Sequence, residues 1–413
     1  MAAIPYFFGT MGWEAAHQRR RRERTGIATA GDYERMDTIT SLTMGTVSLV
    51  MPFIANPFMR RFDVVSGRYR KVVLGVAGGA AVAAVVADAV ARSKDSEAGL
   101  RPGWTPDDAS AADEVIDVRA DGMPERPPST DRTVRSITTP QRKRDRARSA
   151  WRKVAGSSAL MAIAATGAAA AGTWAGRTTA TRLFPKRLVP DLGTGPAATV
   201  AAVLGWDFIY YWNHRFMHSS RYLWALHVVH HSSERYNLST ALRQSVGDSL
   251  GMFVPYGAMA LLGVRPEMVE RARGINLIYQ YWIHTETVPK LGPIEKVFNT
   301  ASHHRVHHGS NRKYLDRNHG SIFIIWDRLF GTFQVEDDDE PVVYGLTKNI
   351  DTFNPLRVAT HELVDIGRDV AGSDTWTDRL SFVFRGPGWA YERHRQLGTV
   401  ADHTAEEAAP LAV

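Results

Sequence analysis

The sequence predicts an all-α fold: an integral membrane helical bundle with a histidine-rich, metal-binding helical cap. Three observations lead to this fold class. Several long stretches carry no formal charge, and ten of the 15 histidines in the 413-residue chain lie between residues 214 and 308. Those histidines recur three and four residues apart, which places them on shared helix faces. Cysteine is absent, so nitrogen and oxygen atoms must supply the ligands of any metal.

The apolar stretches predict membrane association. Residues 38–59 and 154–176 are long enough to cross a bilayer, whose hydrocarbon core needs about 20 apolar residues. Residues 72–87, 192–206 and 249–264 are short for a complete span, and tilting, hairpin pairing and an interfacial position stay open for them. The alternative is a soluble protein with buried Ala/Gly-rich helices, but the repetition of such runs argues against it.

The net charge of +7 would suit either nucleic acid or an anionic membrane surface. The apolar runs favour the membrane, so no nucleic-acid partner is expected.

Composition also predicts the domain organisation. We expect N-terminal membrane helices in residues 1–92, beginning with AAIPYFFGTMGW as a short membrane helix or interfacial anchor. The basic cluster HQRRRRER follows this apolar run, the reverse of the order in a secretory signal. The remaining segments are a disordered polar insert over 93–150, a membrane and histidine-motif domain over 151–335, a cytosolic C-terminal extension over 336–394 and a disordered tail over 395–413.

Three short motifs carry most of the clustered histidines. HRFMH spaces two of them as i, i+4, and both HVVHH and HRVHH space three as i, i+3, i+4. Side chains at these separations share a helix face, so each motif can direct two or three imidazoles to one place. The candidate ligands are His214, His218, His227, His230, His231, His304, His307 and His308, with His284 isolated in YWIHTE and His303 just before the last motif.

This number of imidazoles exceeds the need of one metal ion and fits a pair of metals. Buried core histidines or a pH-sensing cluster would not require the repeated spacing. Imidazole suits iron, zinc, copper and nickel. A redox role in lipid oxidation favours iron, because no side chain can oxidise an unactivated C–H bond. A non-redox zinc protein of the membrane, structural or hydrolytic, remains the alternative.

Carboxylates near the motifs are candidates for orienting the ligands, because a ligating histidine usually donates its other N–H to a carboxylate or carbonyl. Each one alone could equally be a surface or capping residue, and we expect one or two to serve. The candidates are Asp207, Glu234, Glu286 and Asp327, and Asp316 also follows the last motif.

The segments YYWNHRFMH, HVVHHSSERYNLSTALRQS, YQYWIHTE, NTASHHRVHHGSN and IIWDRLFGTF together resemble the fatty acid hydroxylase / sterol desaturase superfamily. Their wording is most similar to the alkylglycerol monooxygenase branch. The resemblance is dense over 195–335 and thinner to about residue 389. It implies an integral membrane oxidoreductase in which a histidine-bound di-iron centre, at the cytosolic end of the bundle, reduces O2 while a lipid C–H bond is hydroxylated or desaturated.

Carried over motif by motif, the resemblance implies metal ligation by specific histidines. His303 is less certain, since it would lie about 100° off the shared helix face. His319, in DRNHGS, stands where the resemblance has a tyrosine, which leaves an added ligand or a changed pocket wall open. The implied ligands are His214, His218, His227, His230, His231, His284, His304, His307 and His308.

The resemblance also implies partners and location. These are a lipid substrate, O2, and a separate electron donor, either a tetrahydropterin or a redox protein, since no fused cytochrome b5 domain is recognisable. The alkylglycerol branch would further imply cleavage of ether lipids. The expected location is the cell membrane of a bacterium or the endoplasmic reticulum of a eukaryote, with the active site facing the cytoplasm.

Overall fold

The computed structural model describes residues 4–97, 139–247 and 254–398. Within these ranges the regular structure is helical, and no β-strand occurs. Two isolated bridges, Phe298 with Phe323 and Gly309 with Tyr344, are the strand-like pairings there. The predicted all-α fold class is therefore confirmed.

The α-helices are numbered in chain order. They are α1 (Ile4–Thr25), α2 (Arg35–Met59), α3 (Arg70–Glu97), α4 (Thr139–Arg177), α5 (Ala180–Leu183), α6 (Pro196–Ser219), α7 (Arg221–His231), α8 (Pro266–Trp282), α9 (Ala301–His307), α10 (Ile325–Phe330), α11 (Pro355–Gly372), α12 (Trp376–Phe384) and α13 (Pro387–Gln396).

Three helical segments are long and apolar enough to cross a membrane. They are Arg35–Phe62, which contains α2, Arg70–Ser93 in α3, and Arg146–Trp174 in α4. Large apolar side chains are exposed on them, for example Phe53 at 82%. Such surfaces are expected where a helix faces lipid instead of water. The predicted spans at 38–59 and 154–176 coincide with the first and third segments.

The expectation that 72–87 is too short for a complete span is wrong. The apolar run ends at Asp88, but α3 continues through this residue. Asp88 is 5% exposed and pairs with Arg379, whose Nη2 donates to Asp88 Oδ1 at 3.0 Å. A charge that is paired in this way can be buried within a helix, so the first charged residue does not mark the end of the span.

The other two short apolar stretches do not form candidate spans among the described residues. Residues 192–206 lead into α6, where Ala202 and Trp206 pack in a protein core with Met259 and Met268. The second stretch lies partly in 248–253, outside the described residues. Its remainder forms a 3-10 helix, Tyr256–Leu262, which ends at Gly263 with a left-handed φ of 76°.

The predicted polar insert and tail lie largely outside the described residues, which do not include 98–138 and 399–413. Their predicted disorder stays a prediction, as do the predicted domain boundaries. The structure differs at the edges of the insert, where 93–97 belong to α3 and 139–150 to α4. Arginine, lysine and alanine are good helix formers, so a polar composition does not oppose a helix here.

The chain divides into two compact units. One comprises residues 1–73, 167–367 and 380–413, and the other comprises 74–166 and 368–379. The second unit contains the Asp88–Arg379 ion pair. The first unit contains all the candidate ligands.

Within the first unit, α1 packs against the C-terminal end of α8 and the turn that follows it. The Phe7 ring lies 4.3 Å from the Tyr281 ring, centroid to centroid. Glu14, 1% exposed, accepts hydrogen bonds from the Tyr33 hydroxyl at 2.6 Å and from the Leu238 N–H at 2.8 Å. It also accepts one from the Thr285 hydroxyl, next to His284. The predicted N-terminal anchor is thus a helix that packs against and hydrogen-bonds to residues next to the histidines.

Candidate metal centre

Four segments of the first unit carry the predicted ligands. Helices α6 and α7 are joined at Ser220 and bring the first two motifs together. The third motif occupies α9 and the residue that caps it. The segments supply His214 and His218 from α6, His227, His230 and His231 from α7, His284 from the turn after α8, and His304, His307 and His308 from α9 and its C-cap.

The structure gathers these nine histidines into two groups. Within each group, one ligand nitrogen per residue lies within 4.8 Å of all the others. Every member is buried, with at most 8% of its surface exposed. The five-histidine group is His214, His218, His227, His231 and His307, and the four-histidine group is His230, His284, His304 and His308.

The spacing of the repeated motif explains how one helix serves both groups. In α7, the i and i+4 residues His227 and His231 join the five-histidine group, and the i+3 residue His230 joins the other. The α9 motif is used in the opposite sense. Its i and i+4 residues, His304 and His308, join the four-histidine group. The two HxxHH motifs therefore each contribute to both groups.

The Nε2 atoms face one another across each group. His227 Nε2 lies 2.9 Å from His214 Nε2 and 3.1 Å from His231 Nε2. In the four-histidine group, His284 Nε2 lies 3.0 Å from the Nε2 of His230 and 2.9 Å from that of His304.

The arrangement fits bound metal ions. A neutral imidazole carries a single N–H, so converging Nε2 atoms cannot all satisfy one another by hydrogen bonding. The buried Nε2 atoms of His218, His307 and His308 have no hydrogen-bond partner among the described residues. Metal–nitrogen distances of about 2.0–2.1 Å would bring ligand atoms to within roughly 4 Å of each other, which agrees with the observed spread. A metal cation would satisfy these lone pairs.

Burial favours the neutral form of eight of these imidazoles, the form that metal ligation requires, by lowering their pKa values. Loss of hydration lowers the pKa of His284 to about 4, and the same effect, with repulsion from the neighbouring His218, lowers the pKa of His214 to about 3. Burial first, and neighbouring imidazoles second, also hold several pKa values well below the ordinary range. These belong to His227, His230, His231, His304, His307 and His308.

Backbone carbonyls fix the proton of several rings on Nδ1. His214 Nδ1 donates to the His319 carbonyl at 2.8 Å, and His307 Nδ1 donates to the Arg317 carbonyl at 2.8 Å. In the four-histidine group, His284 Nδ1 donates to the Gln280 carbonyl at 2.7 Å. Because a carbonyl only accepts, each of these rings has its lone pair on Nε2, which is the atom that faces the group.

None of the four predicted orienting carboxylates contacts a ligand ring among the described residues. Asp207 instead accepts hydrogen bonds from the Ile322 N–H at 2.7 Å and the Trp326 indole N–H at 2.8 Å. Asp327 accepts the backbone N–H groups of His319 and Gly320, each at 2.7 Å. Both hold the segment that follows the last motif.

The other two predicted carboxylates lie elsewhere. Glu286 accepts the Gly31 N–H at 2.9 Å, and Glu234 makes no hydrogen bond to a histidine in the described part of the chain. In the described part of the chain, Asp316 contacts a candidate ligand, with its Oδ1 3.2 Å from His218 Nδ1. Backbone acceptors have no sequence signature, so the carbonyl partners were beyond prediction.

Two further histidines lie beside the groups without belonging to either. His303 packs edge-on against Phe333, with 5.4 Å between ring centroids, and belongs to neither group. This placement agrees with its predicted position off the shared face. The His319 ring is 1% exposed and lies 5.0 Å from the His218 ring and 5.7 Å from the His307 ring.

Comparison with known proteins supports the predicted resemblance. Residues 199–332, which contain all nine candidate ligands, match the fatty acid hydroxylase family. The chain is 47% identical over 194 residues to alkylglycerol monooxygenase of Homo sapiens and 48% identical over 201 residues to that of Danio rerio. The aligned parts cover 47% and 49% of this chain and 43% and 44% of those relatives.

A more distant relative is an ornithine lipid hydroxylase of Rhizobium tropici, 25% identical over 145 residues, or 35% of this chain and 44% of the relative. The chain thus spans less than half the length of the curated relatives it matches. No solved structure matches the chain. The predicted similarity to fatty acid hydroxylases, and among them to alkylglycerol monooxygenases, is confirmed.

Proposed function

We propose that this chain is a membrane-bound, O2-dependent di-iron oxidoreductase that hydroxylates or desaturates a lipid C–H bond. Its residues 199–332 match fatty acid hydroxylases, and it is similar over 194 to 201 residues to alkylglycerol monooxygenases. The observation that carries the proposal is the pair of buried histidine groups. All nine predicted ligands fall into one or the other.

The five-histidine group would hold one metal ion and the four-histidine group the other. A single closed structural zinc site would use four ligands, which leaves the five-histidine group without a purpose. Two adjacent sites built from imidazole, without any thiolate, suit iron and its redox chemistry. Bound iron would supply the reduction of O2 and the oxidation of the C–H bond, which no side chain can perform.

The chain's own residues prepare the centre in two ways. They exclude water, since every candidate ligand is nearly fully buried. They also fix ring orientation, since the carbonyls of Gln280, Arg317 and His319 hold Nδ1 protons and direct Nε2 inward. Fixed ligand orientation lowers the reorganisation needed when the metal changes its charge.

The substrate class follows from the membrane segments and the relatives. Three membrane-capable helices and the names of the relatives, which act on alkylglycerols and on an ornithine lipid, support a substrate with a long alkyl chain. Hydroxylation of such a chain consumes O2, two electrons and two protons and releases water with the alcohol. The electrons would come from a separate donor, either a tetrahydropterin or a redox protein.

We further propose that the site faces the cytoplasm, as the resemblance of the histidine motifs implies. The membrane would be that of the endoplasmic reticulum in a eukaryote and the cell membrane in a bacterium.

The proposal is tested with the full chain purified in detergent without chelators. Elemental analysis should find about two iron ions per chain, and O2 uptake should require both lipid and a reductant. Tetrahydropterin and a reduced redox protein are compared as donors. Folded protein that binds no metal would overturn the proposal. Lipid hydrolysis that proceeds without O2 would instead support the zinc hydrolase alternative.

A further inference from the structure

We propose that the loop Asp316–His319 is a positioning element for the five-histidine group and controls metal binding there separately from the four-histidine group. The inference rests on the proposed metal function. It concerns residues outside the ligand set, none of which would touch a metal through its side chain.

The loop supplies the outer partner of three of the five histidines. Arg317 and His319 accept the Nδ1 protons of His307 and His214 through their backbone carbonyls, each at 2.8 Å. Asp316 Oδ1 lies 3.2 Å from His218 Nδ1. These three contacts fall on α6 and α9, so one short loop aligns ligands from two different helices.

The four-histidine group takes its outer partners from elsewhere. His284 Nδ1 donates to the Gln280 carbonyl at 2.7 Å, and His230 Nδ1 donates to the Arg243 carbonyl at 3.3 Å. The described contacts of the loop do not include a member of this group. A change in the loop should therefore act on one metal and spare the other.

The loop has an uncommon backbone conformation that surrounding residues must stabilise. Asp316 and Asn318 have left-handed φ angles of 58° and 56°. Aspartate and asparagine accept this region more readily than other residues with a side chain, because they can form local hydrogen bonds. Alternating left-handed residues turn successive carbonyls to different sides, which suits a loop whose carbonyls serve two helices.

Asn318 anchors this conformation. It is fully buried, and its Nδ2 donates to the His303 carbonyl at 3.0 Å and the Gln334 carbonyl at 2.7 Å. Its Oδ1 accepts the Gln334 N–H at 2.9 Å. Asp327 holds the end of the loop by accepting the His319 N–H at 2.7 Å. The loop is thus fixed from α9 on one side and from residues 327–334 on the other.

Asp316 offers a clean test because its side chain is 68% exposed. Asp316→Gly removes the hydrogen bond to His218 without opening a cavity in the core, and glycine accepts the left-handed φ that alanine would strain. Loss of such an outer partner typically weakens metal affinity by about 10–100-fold. Asp316→Asn retains an acceptor oxygen and should restore most of the affinity.

Asn318→Gly is the second variant, since glycine accepts the left-handed φ but removes the anchor. The matched control is Asp351→Gly. Asp351 also has a left-handed φ, of 47°, is exposed, and has no contact with the histidine groups.

The experiment is calorimetric titration of Fe²⁺ into the metal-stripped full chain in detergent, with elemental analysis of the saturated protein. Wild type and Asp351→Gly should bind two ions. Asp316→Gly and Asn318→Gly should show one event of wild-type affinity and one weakened by about tenfold or more. Circular dichroism and thermal unfolding in detergent confirm that each variant is folded.

The outcomes separate the two proposals. If wild type binds no metal, the proposed function fails and this inference fails with it. If wild type binds two ions and the folded variants bind both unchanged, or weaken both equally, only the positioning role of the loop is overturned. Weakening in Asp316→Asn equal to that in Asp316→Gly would also count against the hydrogen bond to His218.

Discussion

The Nε2 atoms of His214 in α6 and His227 in α7 lie 2.9 Å apart, with both rings buried. His227 Nε2 also lies 3.1 Å from His231 Nε2. His214 Nε2 carries a lone pair and each neutral ring has a single N–H, so the three nitrogens satisfy one another poorly, and a shared cation would satisfy all three. The close approach of α6 and α7 at these two residues is therefore explained by metal binding as well as by helix packing.

Replacement of a predicted ligand should remove both metal and activity. His307→Ala is expected to lower the metal content by about one ion per chain. It should reduce turnover by more than 100-fold, roughly the upper limit for loss of an outer hydrogen-bond partner of a ligand. Elemental analysis and O2-uptake assays measure the two effects. His17→Ala, at an exposed histidine of α1, is the matched control. Unchanged metal and turnover in the His307 variant would refute the ligand assignment.

His303 should behave differently from its neighbour His304. It lies outside both groups and packs against Phe333, so His303→Ala is expected to leave the metal content unchanged. Because the ring is 2% exposed, its removal should lower stability by about 1–3 kcal/mol. Metal analysis together with thermal unfolding distinguishes the roles. A loss of metal from folded protein would place His303 among the ligands.

His319 is expected to act through its backbone. Its carbonyl accepts the His214 Nδ1 proton, and its ring belongs to neither group. His319→Asn keeps the carbonyl and removes the ring, so two metal ions should remain bound in elemental analysis. Release of one ion from the folded variant would show that the ring is an added ligand.

Asp207 gives a pH-dependent prediction that does not depend on metal. Burial raises the pKa of this carboxyl from 3.8 to about 7, although three donors oppose the shift. The folded state therefore binds more protons than the unfolded state between these values, and stability falls as pH rises through this window. Asp207→Asn lacks this dependence. The difference between the unfolding temperatures of Asp207→Asn and wild type should therefore shift in favour of the variant from pH 4 to pH 7. A difference that stays constant over this range would contradict the raised pKa of Asp207.

The histidine motifs were the most predictable part of the molecule. Helical spacing of i, i+3, i+4 is a local property, and the structure brings together all nine predicted ligands. The division into groups was not predictable, because it depends on how α7 and α9 face each other. The spacing alone does not show that His230 lies in a different group from His227 and His231, or that His307 lies in a different group from His304 and His308.

Features that depend on contacts between residues far apart in the chain could not be predicted from the sequence. The extent of α3 was underestimated because Asp88 looked like the end of an apolar run, and only its burial against Arg379 explains the longer helix. The orienting carboxylates were sought near the motifs in sequence. Asp207 and Asp327 hold backbone N–H groups instead, and carbonyls of the 316–319 loop take over the expected role.

The most direct test of the central claim is incorporation of isotopically labelled O2 by the iron-loaded full chain in lipid vesicles with a reductant. If the protein is a lipid monooxygenase, mass spectrometry should find the label in an oxidised lipid product, and His307→Ala should abolish that product. A desaturase would instead yield an unlabelled unsaturated product whose formation still requires O2. Lipid products that form equally well without O2, with oxygen derived from water, would contradict the account.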